Sequence, residues 1–272
     1  MRLDLGRPAV MAIVNVTPDS FFADSRTPDG EALRHRIRQV AAEGADVIDV
    51  GGYSSRPGAD DVSPEEELRR VSRALAIIRE ELPEAVVSID TFRASVAERV
   101  MARYGTCIVN DIAAGELDPQ IMAVAARYGA PYIAMHMRGT PADMQDRTAY
   151  GDIVGEVTDY LAGRLRAARE AGIRDVVLDP GFGFAKTTQQ NYELLGGLER
   201  IVALGVPVLA GVSRKSMIYK VLDVTPAESL PGTVALGWEA LRRGARILRV
   251  HDVAPAVQEV KLFDYYSRYG RI

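Results

Sequence analysis

Asp118-Pro119-Gln120-Ile121-Met122-Ala123-Val124-Ala125-Ala126-Arg127-Tyr128-Gly129-Ala130-Pro131-Tyr132-Ile133-Ala134-Met135-His136 contains the unit from which the rest of the chain is built. Asp118-Pro119 opens a helix that runs through Arg127, because a short acid caps free N–H groups and proline suits the first helical turn. Gly129 then takes the left-handed conformation that ends a helix at little cost. Pro131–His136 follows as a short apolar run with a polar end, a strand candidate. The same phrase of helix, glycine and strand recurs at Gly44, Gly105, Gly172, Gly205 and Gly244. The strand candidates are Ala9–Val16, Asp46–Gly51, Val86–Thr91, Cys107–Ile112, Pro131–His136, Asp175–Asp179, Pro207–Ser213 and Arg246–His251. Most lack strict alternation, as expected of strands buried on both faces. Between them, Glu31–Glu43 puts Leu33, Ile37, Val40 and Ala41 on one helical stripe. Ser63 before Pro64–Leu82, with Glu66 three residues on, predicts a capping box. Eight strand–helix units in 272 residues, with no internal linker, predict an α/β fold: a single-domain (β/α)8 TIM barrel over residues 1–272. An open Rossmann-like sheet is the alternative that the pattern admits.

Composition narrows the function. Hydrophobic residues make up 47% and charged residues 26%, which excludes a disordered chain or a coiled coil. The net charge of −4 argues against a nucleic-acid backbone binder. One cysteine, Cys107, can form neither an internal disulfide nor a thiolate zinc site. No apolar stretch approaches the roughly 20 residues that cross a bilayer, and the opening Met1–Gly6 does not look like a signal peptide. A cytoplasmic enzyme or binding protein is expected, with no membrane and no nucleic-acid partner.

In a barrel the C-terminal strand ends converge on one mouth. Those ends carry Asn15, the Tyr53–Gly58 loop, Asp90, Asn110 with Asp111, His136, Asp179, Ser213-Arg214-Lys215, and Arg249 with His251. Polar residues on apolar strands are costly unless they pair or serve a ligand, and a ring of them points to a site. Asp90, Asp179 and Asn110 suit the donor-rich edge of an amino-pyrimidine heterocycle. Arg56, Arg214, Lys215, Arg249 and His251 suit a phosphate or diphosphate. Asn15 adds a neutral oxygen of the kind Mg²⁺ accepts alongside substrate phosphates. Two nucleotide motifs fail on single residues: Lys186 stands where a dinucleotide fingerprint needs its third glycine, and Arg214 replaces the P-loop glycine. His136 reads as a satisfied structural histidine. Met122, Met137 and Met144 read as gap fillers. Phe21 and Phe22 either clamp an aryl group or pack when their loop closes.

Met11-Ala12-Ile13-Val14-Asn15-Val16-Thr17-Pro18-Asp19-Ser20-Phe21 resembles the opening signature of the dihydropteroate synthase family, and Ser54-Ser55-Arg56-Pro57-Gly58-Ala59 resembles its second loop. Ser88–Thr91, Asn110–Ile112, Met135–Met137, Leu178–Phe184, Gly211–Ser216 and Arg249–Val253 follow in family order. The resemblance implies a homodimeric barrel that condenses 6-hydroxymethyl-7,8-dihydropterin diphosphate with p-aminobenzoate, with Mg²⁺ on Asn15. It implies that Asp90, Asn110, Asp179 and Lys215 hold the pterin, with Met135, Phe184 and Arg249 near its ring. Arg249 and His251 would hold diphosphate, and Ser55, Arg56, Pro57, Ser213 and Lys215 would lie near p-aminobenzoate. Asp90, Asp179, Lys215 and Arg249 are the candidate catalytic residues, for an SN1-like displacement. The dimer contact is placed on late-helix residues such as Leu236, Trp238, Leu241 and Val257, which serve equally well as core.

Two segments depart from the family pattern. Tyr53 and Ser55 stand where the second loop usually has Glu and Thr, and Phe21-Phe22-Ala23-Asp24-Ser25-Arg26 replaces the usual Phe-Ser-Asp-Gly-Gly. The rival readings are a non-catalytic pterin-binding paralogue, favoured by the altered first loop, and a methyltetrahydrofolate methyltransferase. The latter has no reason to keep Asn15, Arg56, Lys215, Arg249 and His251 around a diphosphate.

Overall fold

The helix–glycine–strand phrase becomes a closed barrel in a computed structural model of the chain, which describes residues 5–17, 30–54 and 61–270. The strands are β1 (Ala9–Asn15), β2 (Val47–Gly51), β3 (Val87–Asp90), β4 (Ile108–Asp111), β5 (Tyr132–Met135), β6 (Val176–Asp179), β7 (Leu209–Ala210) and β8 (Ile247–Val250). All pair in parallel in the order β6-β5-β4-β3-β2-β1-β8-β7. A further parallel bridge, Leu178 to Val208, joins β6 to β7 and closes the ring. Among the described residues the helices are α1 (Glu31–Ala42), α2 (Pro64–Glu81), α3 (Ala94–Tyr104), α4 (Gln120–Arg127), α5 (Ile153–Glu170), α6 (Thr188–Gly196), α7 (Leu198–Val202), α8 (Ser216–Leu222), α9 (Leu230–Arg242) and α10 (Val253–Tyr269). None of them is long and apolar enough to cross a membrane.

Alternation along each strand sorts the side chains into two sets. Val10, Ala12, Val14, Ile48, Val50, Ile89, Val109 and Leu178 face outward and pack with the helices, against residues such as Ile37, Leu75, Ile78 and Leu161. Each such side chain, taken fully out of water, contributes on the order of 1.5–3 kcal/mol. Ala9, Met11, Val47, Ile108, Ile133, Val177, Leu209 and Ile247 form a separate apolar cluster inside the barrel.

The six glycines before the strands all have positive φ, from 60° at Gly129 to 98° at Gly244. At Gly129 and Gly205 a Cβ would meet nothing, so backbone conformation rather than crowding selects glycine there.

Local readings are corrected in several places. The run Pro207–Ser213 yields only Leu209–Ala210 as strand, because the chain turns at Val212, whose carbonyl accepts the Lys215 N–H at 3.1 Å. Ser63 caps α2 by accepting the Glu66 N–H at 3.2 Å, but Glu66 bonds Arg69 and Arg70 instead of returning to the cap, so half of the capping box forms. Asp118 does more than expected: its carboxylate accepts from Gln120 N at 3.1 Å and from Ala94 N, at the start of α3, at 2.8 Å. Leu241 is core, and Leu236, Trp238 and Val257 pack against that core.

Candidate active site

The inward set changes character at the C-terminal ends of the strands. Register places Ile13 beside Asp49, Gly51 beside Asp90, Asp90 beside Asn110 and Met135 beside Asp179. On one wall, Arg249 Nε donates to Asp49 Oδ2 at 2.7 Å and its Nη2 to Asp90 Oδ2 at 2.6 Å. Asn110 Nδ2 donates to the same Asp49 oxygen at 3.2 Å. Asp49 is fully buried, and its Oδ1 has no partner among the described residues. Gly51 makes this wall possible, since a Cβ there would lie 3.1 Å from Asn15 Oδ1 and 3.5 Å from Asp90 Cβ.

Two acids share one guanidinium here, so the wall keeps negative character. Burial, reinforced by Asp49, Glu67 and Asp111, pushes the Asp90 carboxyl up, while Arg249 opposes the rise. Burial works against the Arg249 charge, but Asp49 and Asp90 outweigh it and hold the guanidinium protonated.

The opposite wall comes from β6, β7 and their loops. Asp179 Oδ1 accepts the Gly181 N–H at 2.7 Å. Burial raises the Asp179 carboxyl, against Lys215 and the Gly181 bond. The Lys215 ammonium donates to the Phe182 carbonyl and lies 4.8 Å from the centroid of the Phe184 ring. Burial brings Lys215 down to about 8, with Asp179 opposing. Ser213 Oγ and His251 Nδ1 are 3.0 Å apart, and the His251 N–H donates to Ser213 Oγ at 3.1 Å. Met135 belongs to an apolar cluster with Ile112, Ala113, Met137, Met144 and Ala185, against which Phe184 packs.

Asn15, Asp90, Asn110, Met135 and Asp179 therefore stand together at the inner ends of the strands, with Arg249 paired across to Asp90. Two expectations are corrected and one stands. Asp111 faces the helices, where its carboxylate accepts from Ala113 N, Gly115 N and the Tyr132 hydroxyl, because it is one residue out of phase with Asn110. Arg214 offers no free charge to the mouth. It sits at φ 53°, pairs with Asp252 at 2.7 Å and donates to Pro226 O at 2.7 Å and Ala227 O at 2.5 Å. His136 is buried with its Nδ1 at 2.9 Å from Lys186 Nζ, consistent with a structural histidine. Ser55, Arg56, Pro57, Phe21 and Phe22 lie outside the described residues.

Asp49 and Lys186 were missed as parts of this region. The signal for Asp49 was available: it is the lone acid in Val47-Ile48-Asp49-Val50-Gly51, and a period of two turns it inward with Val47 and Gly51. Lys186 gave no such signal, since it follows the strand by several residues and its partners are fixed only by the turn.

The resulting barrel mouth is rich in acceptors, holds a lysine, and carries a guanidinium and a Ser–His pair at its edge. That arrangement can bind a flat, donor-edged ring and stabilise charge separation when an anionic leaving group departs.

Residues 11–251 match the model of the family described as pterin binding enzyme. A dihydropteroate synthase of Synechocystis sp. is 43% identical over 261 residues, covering 95% of this chain and 90% of that protein. Among solved structures, a Xanthomonas albilineans dihydropteroate synthase with 4-aminobenzoic acid superposes with a TM-score of 0.88 at 40% identity, covering 97% of this chain and 94% of that one. A Yersinia pestis dihydropteroate synthase in a sulfonamide drug complex gives 0.90 at 37% identity, with 98% and 97% covered.

Proposed function

The chain belongs to the pterin binding enzyme family, and on that premise we propose how its barrel mouth performs the dihydropteroate synthase reaction. The activity is that of a transferase in folate synthesis. It joins the methylene carbon of 6-hydroxymethyl-7,8-dihydropterin diphosphate to the amine of p-aminobenzoate and releases diphosphate. The observation that carries the residue assignment is the inward convergence of Asp90, Asn110 and Asp179 from three strands, with Lys215 beside Asp179.

In this reading Asp90, Asn110, Asp179 and Lys215 hold the pterin, with Met135, Phe184 and Arg249 against its ring. Arg249 and His251 take the diphosphate. Ser213 and Lys215 border p-aminobenzoate, together with Ser55, Arg56 and Pro57. At neutral pH the Lys215 side chain, at about 8, is mostly protonated. The bond from methylene carbon to diphosphate oxygen breaks first, and its electron pair leaves with the diphosphate. Asp179 and Asp90 stabilise the positive charge left on the methylene-pterin. The arylamine nitrogen then forms the new C–N bond and loses a proton to solvent.

Mg²⁺ is part of the proposal. Asn15 brings one neutral oxygen to the rim beside Gly51 and Asp90, which fits an ion that takes most of its ligands from substrate phosphates and water. When bound, the ion would offset charge on the departing diphosphate. We place the reaction in the cytoplasm, in keeping with a buried free thiol at Cys107. A homodimer is proposed through the outer face of α10, where Leu262, Tyr265 and Tyr269 are 66%, 68% and 69% exposed.

The test is diphosphate release from the dihydropterin diphosphate in Mg²⁺ buffer, with and without p-aminobenzoate, and dihydropteroate identified by mass. Product that requires both substrates is expected. Pterin binding with no product would point to a paralogue that has lost turnover.

A further inference from the structure

Lys186 is buried at 4% exposure, yet it lies outside the set of residues assigned to substrate. Its ammonium is 2.9 Å from His136 Nδ1, 2.9 Å from Gly181 O and 2.9 Å from Phe184 O. Three acceptors at equal distance match the three N–H bonds of an ammonium group, and they, with the Asp179 carboxylate, support that charge against the burial that lowers this lysine. His136 is then the acceptor at Nδ1 and carries its proton on Nε2. Burial, then the nearby Lys186 and Arg138 charges, keep this imidazole neutral by lowering it to about 2.

The two elements tied together are also packed back to back. The His136 N–H donates to Asp179 O at 3.0 Å. Gly181 sits at φ 69°, and a Cβ there would collide with the His136 carbonyl oxygen. The turn beyond Gly181 supplies two groups that meet the Lys215 ammonium: the Phe182 carbonyl, which accepts from it, and the Phe184 ring beneath it.

We propose that Lys186 is a positioning residue for the reaction: by donating to His136 Nδ1, Gly181 O and Phe184 O at once, it clamps the end of β5 to the turn after β6 and so fixes the carbonyl and ring that aim Lys215 at the pterin. This rests on the assignment of Lys215 to the pterin pocket. Without the clamp His136 Nδ1 and Phe184 O lose the Lys186 donor, Gly181 O keeps only the Phe184 N–H at 3.1 Å, and the turn that carries Phe182 and Phe184 is free to shift. The effect falls first on the pterin, because Phe184, which Lys186 holds directly, is assigned to the pterin ring, and it reaches p-aminobenzoate only through Lys215.

The experiment measures steady-state kinetics and fluorescence-detected pterin diphosphate binding for wild type, K186M, H136L, H136N and the K186M/H136L double variant, with a thermal melt for each. K186M is expected to raise the KM for pterin diphosphate tenfold or more, while the KM for p-aminobenzoate changes less than threefold. H136L should shift in the same direction. H136N, whose amide oxygen replaces Nδ1 as acceptor, should stay within threefold of wild type. The double variant should be no worse than K186M alone, because both changes break one device. A folded K186M or H136L with wild-type pterin affinity, or losses that multiply in the double variant, overturns the proposal. If K186M does not fold, the contrast between H136L and H136N decides. A wild-type chain that makes no dihydropteroate would count against the reaction itself, and the binding series would still decide the clamp.

Discussion

Val47, Ile108, Ile133, Val177 and Ile247 fill the floor of the barrel. Two residues further along the same five strands stand Asp49, Asn110, Met135, Asp179 and Arg249. A step of two residues, roughly 6.6 Å along a strand, keeps the side chain on the inner face. The backbone therefore treats both layers alike, and only the chemistry differs. The floor is apolar, tightly packed and explained by burial alone. The mouth buries carboxylates that burial pushes toward protonation, and it leaves Asp49 Oδ1 with no partner among the described residues. Folding does not call for that layer, since a buried ion pair often contributes little net stability. In this molecule the demand of the fold ends and the demand of the ligand begins within one layer of side chains.

The largest expected break in that comparison is Asp179→Ala. The variant removes a buried acid whose carboxylate, among the described residues, accepts one hydrogen bond, from the Gly181 N–H. Loss of one group that stabilises developing charge is worth about 10²–10³ in kcat. Turnover should fall on that scale, while the melting temperature stays near that of wild type because a costly buried charge has gone as well. The measurements are kcat by product formation and a thermal melt on the same sample. A variant that keeps its turnover and loses its fold would place Asp179 with the floor instead.

One layer down, Ile133→Ala should do the reverse. Ile133 is 1% exposed inside the barrel, in register with Asn110 on one side and Val177 on the other. The cavity left by its missing carbons should reduce stability by about 2–5 kcal/mol. Turnover per folded molecule should change less than threefold, since the mouth's hydrogen bonds are untouched. Denaturant unfolding gives the first quantity, and initial rates at a temperature well below the melt give the second. Equal damage to both would mean that the two layers move as one.

This division also explains what could be read in advance. The barrel was legible because its rule is local and repeated: each helix stops at a glycine that takes positive φ, and each strand follows at once. Strand ends could be read for the same reason, which is why Asp90, Asn110 and Asp179 were found. Asp111 was misplaced by a single residue of phase, and Arg214 by a turn whose partner, Asp252, is far away in sequence. Asp49 was passed over because an acid inside an apolar run looks like an interruption until its bond to Arg249, on a strand 200 residues later, is known. Lys186 depends on two turns meeting, His136 from one and Gly181 from the other, which no spacing in the chain declares.

Glu259 sharpens the comparison, because it is a buried acid on neither layer. It sits on α10 behind β8, beside a cavity of about 10 Å³ lined by Thr233 and Gly237 of α9 and by the outward-facing Leu248 and Val250. It is 5% exposed, and its Oε1 has no partner among the described residues. Burial raises its carboxyl from an ordinary 4.5 to about 8. The folded chain then holds a proton that the unfolded chain releases above about 4.5. The stability tied to that proton is fully present at low pH and is lost as pH rises toward 8. Glu259→Gln removes the titration, so the variant should gain melting temperature over wild type by about 2–5 °C at pH 8, with a smaller gain at pH 5. Its kcat should match wild type, since no assigned residue of the mouth bonds to it. A gain that does not depend on pH would mean that Glu259 is uncharged or solvated at both values. A loss of turnover would tie this outer pocket to the mouth after all, and the boundary drawn between fold and site would have to move outward through β8.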